Sequence, residues 1–157
     1  MSGYKKHVFQ HPASYSLCTG CQSCDVVCSL THDGVTGPTH GRIRIDEPNY
    51  LQLRFRILAC QQCEDHPCYE ACPKKDAAMC IDENGIVYIN EEFCIGCGLC
   101  AKKCKFTPSR IVVDRVERKA KKCDLCRNRP EGPACVQYCP VRCLGVTEEQ
   151  TEGGAEK

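Results

Sequence analysis

Sixteen cysteines of this chain fall into four groups of four, and each group repeats nearly the same spacing. Cys18, Cys21, Cys24 and Cys28 read C-x2-C-x2-C-x3-C. Cys60, Cys63, Cys68 and Cys72 read C-x2-C-x4-C-x3-C, with Pro73 immediately after. Cys94, Cys97, Cys100 and Cys104 return to C-x2-C-x2-C-x3-C. Cys123, Cys126, Cys135 and Cys139 read C-x2-C-x8-C-x3-C, followed by Pro140. Three thiolates spaced this closely can wrap a tight loop around one iron–sulfur cubane, each on a different iron. The fourth, at the end of a short helical turn, points away and ligates a neighbouring cluster. A following proline stops the helix, because it cannot continue the hydrogen-bonded run. The spacing therefore predicts [4Fe–4S] ligation at paired sites close enough for one-electron hopping.

Other uses of cysteine fit less well. Eighteen is an even number, as a disulfide framework requires. Yet the amino terminus, Met1-Ser-Gly-Tyr-Lys-Lys-His-Val, carries no export signal. No apolar run approaches the roughly 20 residues that span a bilayer. The expectation is a soluble cytoplasmic protein without a membrane anchor, in a compartment that keeps thiols reduced. Structural zinc takes two C-x2-C pairs rather than triplets with a trailing C-x3-C, and a redox C-x2-C occurs once. Composition points the same way. With no Trp, four Phe and six Tyr in 157 residues, a large apolar core is out of reach and metal must help to hold the fold. A net charge of +1 disfavours a nucleic-acid partner. No phosphate-binding loop, nucleotide fingerprint or acid–base constellation appears, so no catalytic residue is expected.

The chain reads as an α+β fold with short strands, short helices and long loops. Residues 1–17 read as an extended arm. Gly34, Gly37, Pro38 and Gly41 mark loops. Arg42–Asp46 and Leu51–Ile57 alternate apolar and charged residues and read as paired strands. Asn84-Gly85 predicts a turn before a strand at Ile86–Ile89, and Ile111–Val113 is a further strand. Short helices are expected in the C-x3-C segments, as at Leu99–Lys103 and Ala134–Tyr138. Residues 147–157, rich in Glu and Gly, read as a disordered tail. Cys80 and Cys143, outside the four groups, are expected to be buried structural thiols. The basic residues Lys102, Lys103, Lys105, Lys119, Lys121 and Lys122 read as a solvated face, the alternative being a charge that balances thiolate-ligated clusters and helps dock an acidic partner. The five histidines show no ligand-like spacing. Gly20, Gly96 and Gly98 are placed to let backbone amides approach cluster sulfur.

Several segments carry a resemblance: Cys60-Gln-Gln-Cys…His-Pro-Cys-Tyr-Glu-Ala-Cys-Pro, Asn84-Gly-Ile-Val, Phe93-Cys-Ile-Gly-Cys-Gly-Leu-Cys and Lys122-Cys-Asp-Leu-Cys…Pro-Ala-Cys-Val-Gln-Tyr-Cys-Pro. Across residues 15–146 the chain resembles the iron–sulfur subunits of the dimethyl sulfoxide reductase type. Such subunits also serve formate dehydrogenases, hydrogenases and carbon monoxide dehydrogenases. The resemblance implies two ferredoxin-like modules, an outer one from residues 1–55 with 113–146 and a central one from 56–112. It also implies four [4Fe–4S] clusters bound by sets that exchange their fourth cysteine. Cys18, Cys21 and Cys24 would act with Cys139, and Cys123, Cys126 and Cys135 with Cys28. Cys60, Cys63 and Cys68 would act with Cys104, and Cys94, Cys97 and Cys100 with Cys72. One departure is Lys105, which follows Cys104 where such subunits usually have proline. Size and the missing anchor are similar to the small electron-transfer subunit of bacterial tungsten aldehyde oxidoreductases. That implies a tungstopterin or molybdopterin catalytic subunit as partner, a flavin subunit using FAD and NAD, and head-to-tail self-association. The alternatives are the electron-transfer subunit of a formate dehydrogenase, hydrogenase or carbon monoxide dehydrogenase, or a free diffusible polyferredoxin.

Overall fold

The computed structural model describes residues 6–12, 18–49, 51 and 54–147. Along the chain run β1 (Val8–Gln10), α1 (Ser23–Asp33), β2 (Arg44–Asn49), β3 (Arg54–Leu58), α2 (Pro67–Glu70), β4 (Met79–Ile81), β5 (Val87–Ile89), α3 (Leu99–Lys102), β6 (Val112–Asp114), β7 (Lys119–Lys121), α4 (Ala134–Gln137) and β8 (Leu144–Val146). The expectation of a small mixed fold with short elements holds.

Each helix carries the third cysteine of a group, and the local reason is a turn forced by the ligand-like spacing. Gln22, His66 and Gly98, the residues capping α1, α2 and α3, are left-handed, with φ of 60°, 43° and 73°. Gln22 and Gly98 each follow the second cysteine of a group, so the same turn recurs in the repeat. Pro67 opens α2, where its fixed φ suits the first helical turn and its missing N–H costs nothing. Gly96, at φ 65°, could not take a side chain: a Cβ there would lie 2.4 Å from the Arg118 carbonyl carbon.

The strands pair antiparallel in four two-stranded sheets, β1–β8, β2–β3, β4–β5 and β6–β7. Ile45 faces Ile57 across β2–β3 as the alternation predicts, although β2 begins at Arg44 rather than Arg42. The Asn84-Gly85 turn is held by Asp82, whose carboxylate accepts from the Asn84 and Ile86 amides at 2.9 and 2.8 Å. Four strands went unforeseen: β1, β4, β7 and β8 have three residues each, too few to show a period. β1 closes the ends of the chain together through Val8↔Val146 and Gln10↔Leu144. Thr147 donates to His7 at 2.9 Å and so belongs to this pairing rather than to a tail. The tail expected beyond it, residues 1–5 and 13–17 of the arm, and Gln52-Leu53 lie outside the described residues. No helix among the described residues is long and apolar enough to cross a membrane.

Buried apolar residues form two clusters. One gathers Val8, Ile43, Ala59, Ile86, Leu125 and Leu144 around Cys18, Cys24, Cys28, Cys60, Cys123, Cys135, Cys139 and Cys143. The other gathers Met79, Val87, Ile111 and Ala120 around Cys100.

The basic run is not a solvated face. Lys121 and Lys122 are 2% and 3% exposed, and only Lys102, Lys103 and Lys105 of that run face water. Lys121 bonds Asp33 at 2.8 Å and Glu117 at 2.9 Å; Arg42 bonds Asp33 at 2.8 Å and Glu91 at 2.5 Å; His40 bonds Asp33 at 2.7 Å. The Asp33 carboxylate thus ties the end of α1 to β7. Burial opposes its charge, but Arg42, Lys121 and His40 outweigh that and hold its pKa well below the usual carboxylate range. A folded pKa below the unfolded value means that the stabilisation is complete above about pH 5 and is lost as pH falls toward the folded value. Substitution D33N is expected to cost about 2–3 kcal/mol at pH 7, less than a fully broken buried pair because each cation keeps a second acceptor. Thermal unfolding at pH 7 and below pH 4 checks this: the gap between the two proteins narrows at the acid end.

Candidate metal centres

The cysteines of the central segment converge on two cavities. Cys60, Cys63, Cys68 and Cys104 line one, with Gln62, Val87, Ile111 and Lys122. Cys72, Cys94, Cys97 and Cys100 line the other, with Met79, Ile89 and Ala120. The remaining cysteines gather at the other end of the molecule. Cys24 interacts electrostatically with Cys18 and Cys21. Cys135 interacts with Cys28 and Cys126, and Cys123 with Cys135 and Cys28. Cys139 reaches Cys18 by way of Cys143, whose sulfur lies 3.6 Å from its own. The structure therefore lines one cavity with Cys60, Cys63, Cys68 and Cys104 and a second with Cys72, Cys94, Cys97 and Cys100, and it gathers the other eight ligand candidates near one another.

Taken as the sets that the resemblance implies, the cysteines are linked in a row by electrostatic interactions, Cys24 with Cys135, Cys123 with Cys60, and Cys100 with Cys68. The sets holding Cys21 and Cys97 lie at the two ends. Those two thiols are the exposed cysteines of the sixteen; every other is buried or half-buried.

The surroundings suit anionic sulfur. Backbone amides of Arg42, Gln62, Arg110 and Ala120 each donate at 3.4 Å to the sulfurs of Cys28, Cys60, Cys104 and Cys94. Such donors stabilise thiolate and tune a cluster's potential. They come from residues other than Gly20, Gly96 and Gly98, whose positive φ shapes the loops. Burial pushes the Cys24 and Cys100 thiols up to about 12 and Cys68 to about 11. Free thiols here are neutral at pH 7, so metal must displace their protons.

Lys122 fits the less favoured reading of the basic run, a charge that answers cluster sulfur. Its ammonium donates to the Val87 carbonyl and to the Cys123 carbonyl at 3.0 Å. Among the described residues it has no carboxylate partner. Burial opposes its charge, yet the sulfurs of Cys60, Cys68 and Cys123 outweigh that and raise its pKa. Gln62 braces the same junction, its amide donating to the carbonyls of Val87 and Cys123 at 3.2 and 3.0 Å.

His32 was missed, although its position four residues after Cys28 on a helix is a readable signal. Its Nδ1 lies 2.9 Å from the Cys28 carbonyl and 3.8 Å from the Cys28 sulfur, and its Nε2 lies 3.0 Å from Asp124. Burial opposes protonation of the imidazole, but these contacts lift its pKa to about 11. Lys105, in place of the expected proline, pairs with Asp65 at 2.6 Å. Cys143 is buried as expected. Cys80 is not: it is half-exposed on a two-stranded edge, its thiol 3.5 Å from the Ala77 carbonyl.

Clustered thiols with backbone amides donating to sulfur are the surroundings that an iron–sulfur cluster takes. Residues 51–149 match the 4Fe-4S dicluster domain, and the chain belongs to that family. The electron transport protein HydN of Escherichia coli is 34% identical over 152 residues, which cover 84% of this chain and 83% of that protein. The polyferredoxin-like subunit of the aliphatic sulfonate oxidoreductase of Pyrococcus furiosus is 40% identical over 124 residues, covering 78% of this chain and 66% of that subunit. In fold, the chain is similar to one in the active site complex BamBC of benzoyl-coenzyme A reductase, with TM-score 0.53 and 23% identity, covering 97% of this chain and 83% of that one. The protein is a non-catalytic iron–sulfur electron-transfer subunit of the kind that serves oxidoreductases.

Proposed function

We propose that this subunit relays single electrons through four [4Fe–4S] clusters, held by the four cysteine foursomes, between a catalytic oxidoreductase subunit and an acceptor subunit. The observation that carries the reading is the row of four sets with one exposed thiol at each end. When bound, each cluster supplies one reversible electron. The chain's own residues position the thiolates, donate N–H groups to sulfur and exclude water from the inner sets. The chain divides in this reading into two ferredoxin-like modules, residues 56–112 and residues 1–55 with 113–146, and Gln62 bridges them by donating to the carbonyls of Val87 and Cys123.

The favoured catalytic partner is a tungsten aldehyde oxidoreductase, with a flavin subunit using NAD as acceptor, in the cytoplasm. Likeness to the polyferredoxin-like subunit of a sulfonate oxidoreductase supports a dedicated partner over free diffusion. Anaerobic purification of the native complex tests the assignment. Tungsten co-eluting with the chain, and bleaching of its clusters by an aldehyde, are the expected results. Molybdenum or nickel in that peak would move the subunit to another oxidoreductase, and isolation of the chain alone would favour a diffusible carrier.

A further inference from the structure

Cys143 is outside the four foursomes, yet it is 2% exposed and its sulfur lies 3.6 Å from that of Cys139. It also interacts with the thiol of Cys18. In the reading above, Cys139 and Cys18 hold the same terminal cluster with Cys21 and Cys24, so this site contains five thiols. The backbone fixes the fifth in place. The Arg142 amide donates to the Cys139 carbonyl at 3.1 Å, closing a turn in which Arg142 has φ 50°. The Cys143 carbonyl accepts from the His11 amide at 2.9 Å, and the next residue enters β8. Among the described residues the Cys143 sulfur has only other sulfurs as hydrogen-bond partners.

We propose that Cys143 is a reserve ligand of the terminal cluster, able to take the iron of Cys139 when Cys139 is lost. This rests on the four-cluster reading. The shift required is on the scale of the 3.6 Å between the two sulfurs, within reach of a side-chain rotation. The exchange balances simply. Cys143 gives its S–H proton to water as its Fe–S bond forms, one thiolate stands where another stood, and no electron moves. No comparable spare exists elsewhere: Cys80, the other unassigned cysteine, sits on β4 beside Ala77 and Tyr88.

The test compares full-length wild type, C139A, C143A, C139A/C143A and the control C135A, purified anaerobically and assayed for iron, sulfide and EPR. Wild type, C143A and C139A are expected to hold the same iron, about 16 per chain, with no three-iron signal. The double variant is expected to lose about a quarter of that iron or to show a three-iron signal, and C135A to do so on its own. A C139A protein that loses as much iron as the double variant, or that does not fold while C143A does, overturns the proposal. So does a double variant that keeps all its iron. Failure of the four-cluster reading shows separately, as a low iron count in wild type.

Discussion

Stripping the iron anaerobically with acid and chelator is expected to unfold the chain. Among the described residues nine of the 22 buried apolar residues are cysteines, and of the thirteen small or aliphatic side chains that remain, ten are split between two separate clusters. The sheets cannot compensate, since each has two strands and most of those strands have three residues; isolated hairpins of that size are marginal in water. Without metal, the thiols of the central segment face one another across its two cavities with nothing to join them. Metal binding is then folding free energy, as in other small metal-held domains. Loss of the cooperative thermal transition, read by circular dichroism, and collapse of amide chemical-shift dispersion are the predicted results. An apo protein that kept its dispersion would show that the short sheets suffice.

Replacing Lys122 by methionine is expected to lower the potentials of the two clusters that flank it. Methionine preserves the length and the apolar stem but removes a buried positive charge. In the wild type that charge has no carboxylate partner among the described residues and faces Cys60, Cys68 and Cys123. An isolated buried ammonium is costly unless an anion answers it, and the sulfur-ligated clusters are the anions at hand. Reduction adds negative charge, so a nearby cation favours the reduced state and its removal disfavours it. For a separation of about 6 Å and an effective dielectric near 20, the interaction is about 3 kcal/mol, on the order of 100 mV for a one-electron couple. EPR-monitored redox titration of K122M reads the shift directly, and K122R, which keeps the charge, should shift far less. Equal potentials in all three proteins would mean that Lys122 serves packing alone.

The cysteine spacing made the four groups legible because neighbouring cluster ligands are set by covalent reach along the chain. The exchange of fourth ligands that the resemblance implies could not be read that way, since it depends on long-range folding. Helices were legible where they follow a ligand-like loop, as at Leu99–Lys102 and Ala134–Gln137. Strands were legible where they alternate over enough length, as in β2 and β3, or where a turn signal or an apolar run marks them, as in β5 and β6. β1 and β8, each three residues long and separated by nearly the whole chain, carry no local signal. Charge misled most. Lys119-Ala-Lys-Lys looks like a solvent face, but its lysines answer Asp33, backbone carbonyls and buried sulfur. His32 and Asp124 meet across 92 positions, beyond any local pattern.

Iron and acid-labile sulfide, measured per chain on the anaerobically purified native protein, test the central claim most directly. Four clusters on sixteen cysteines predict about 16 of each, whereas about eight of each, the content of two clusters alone, would contradict it.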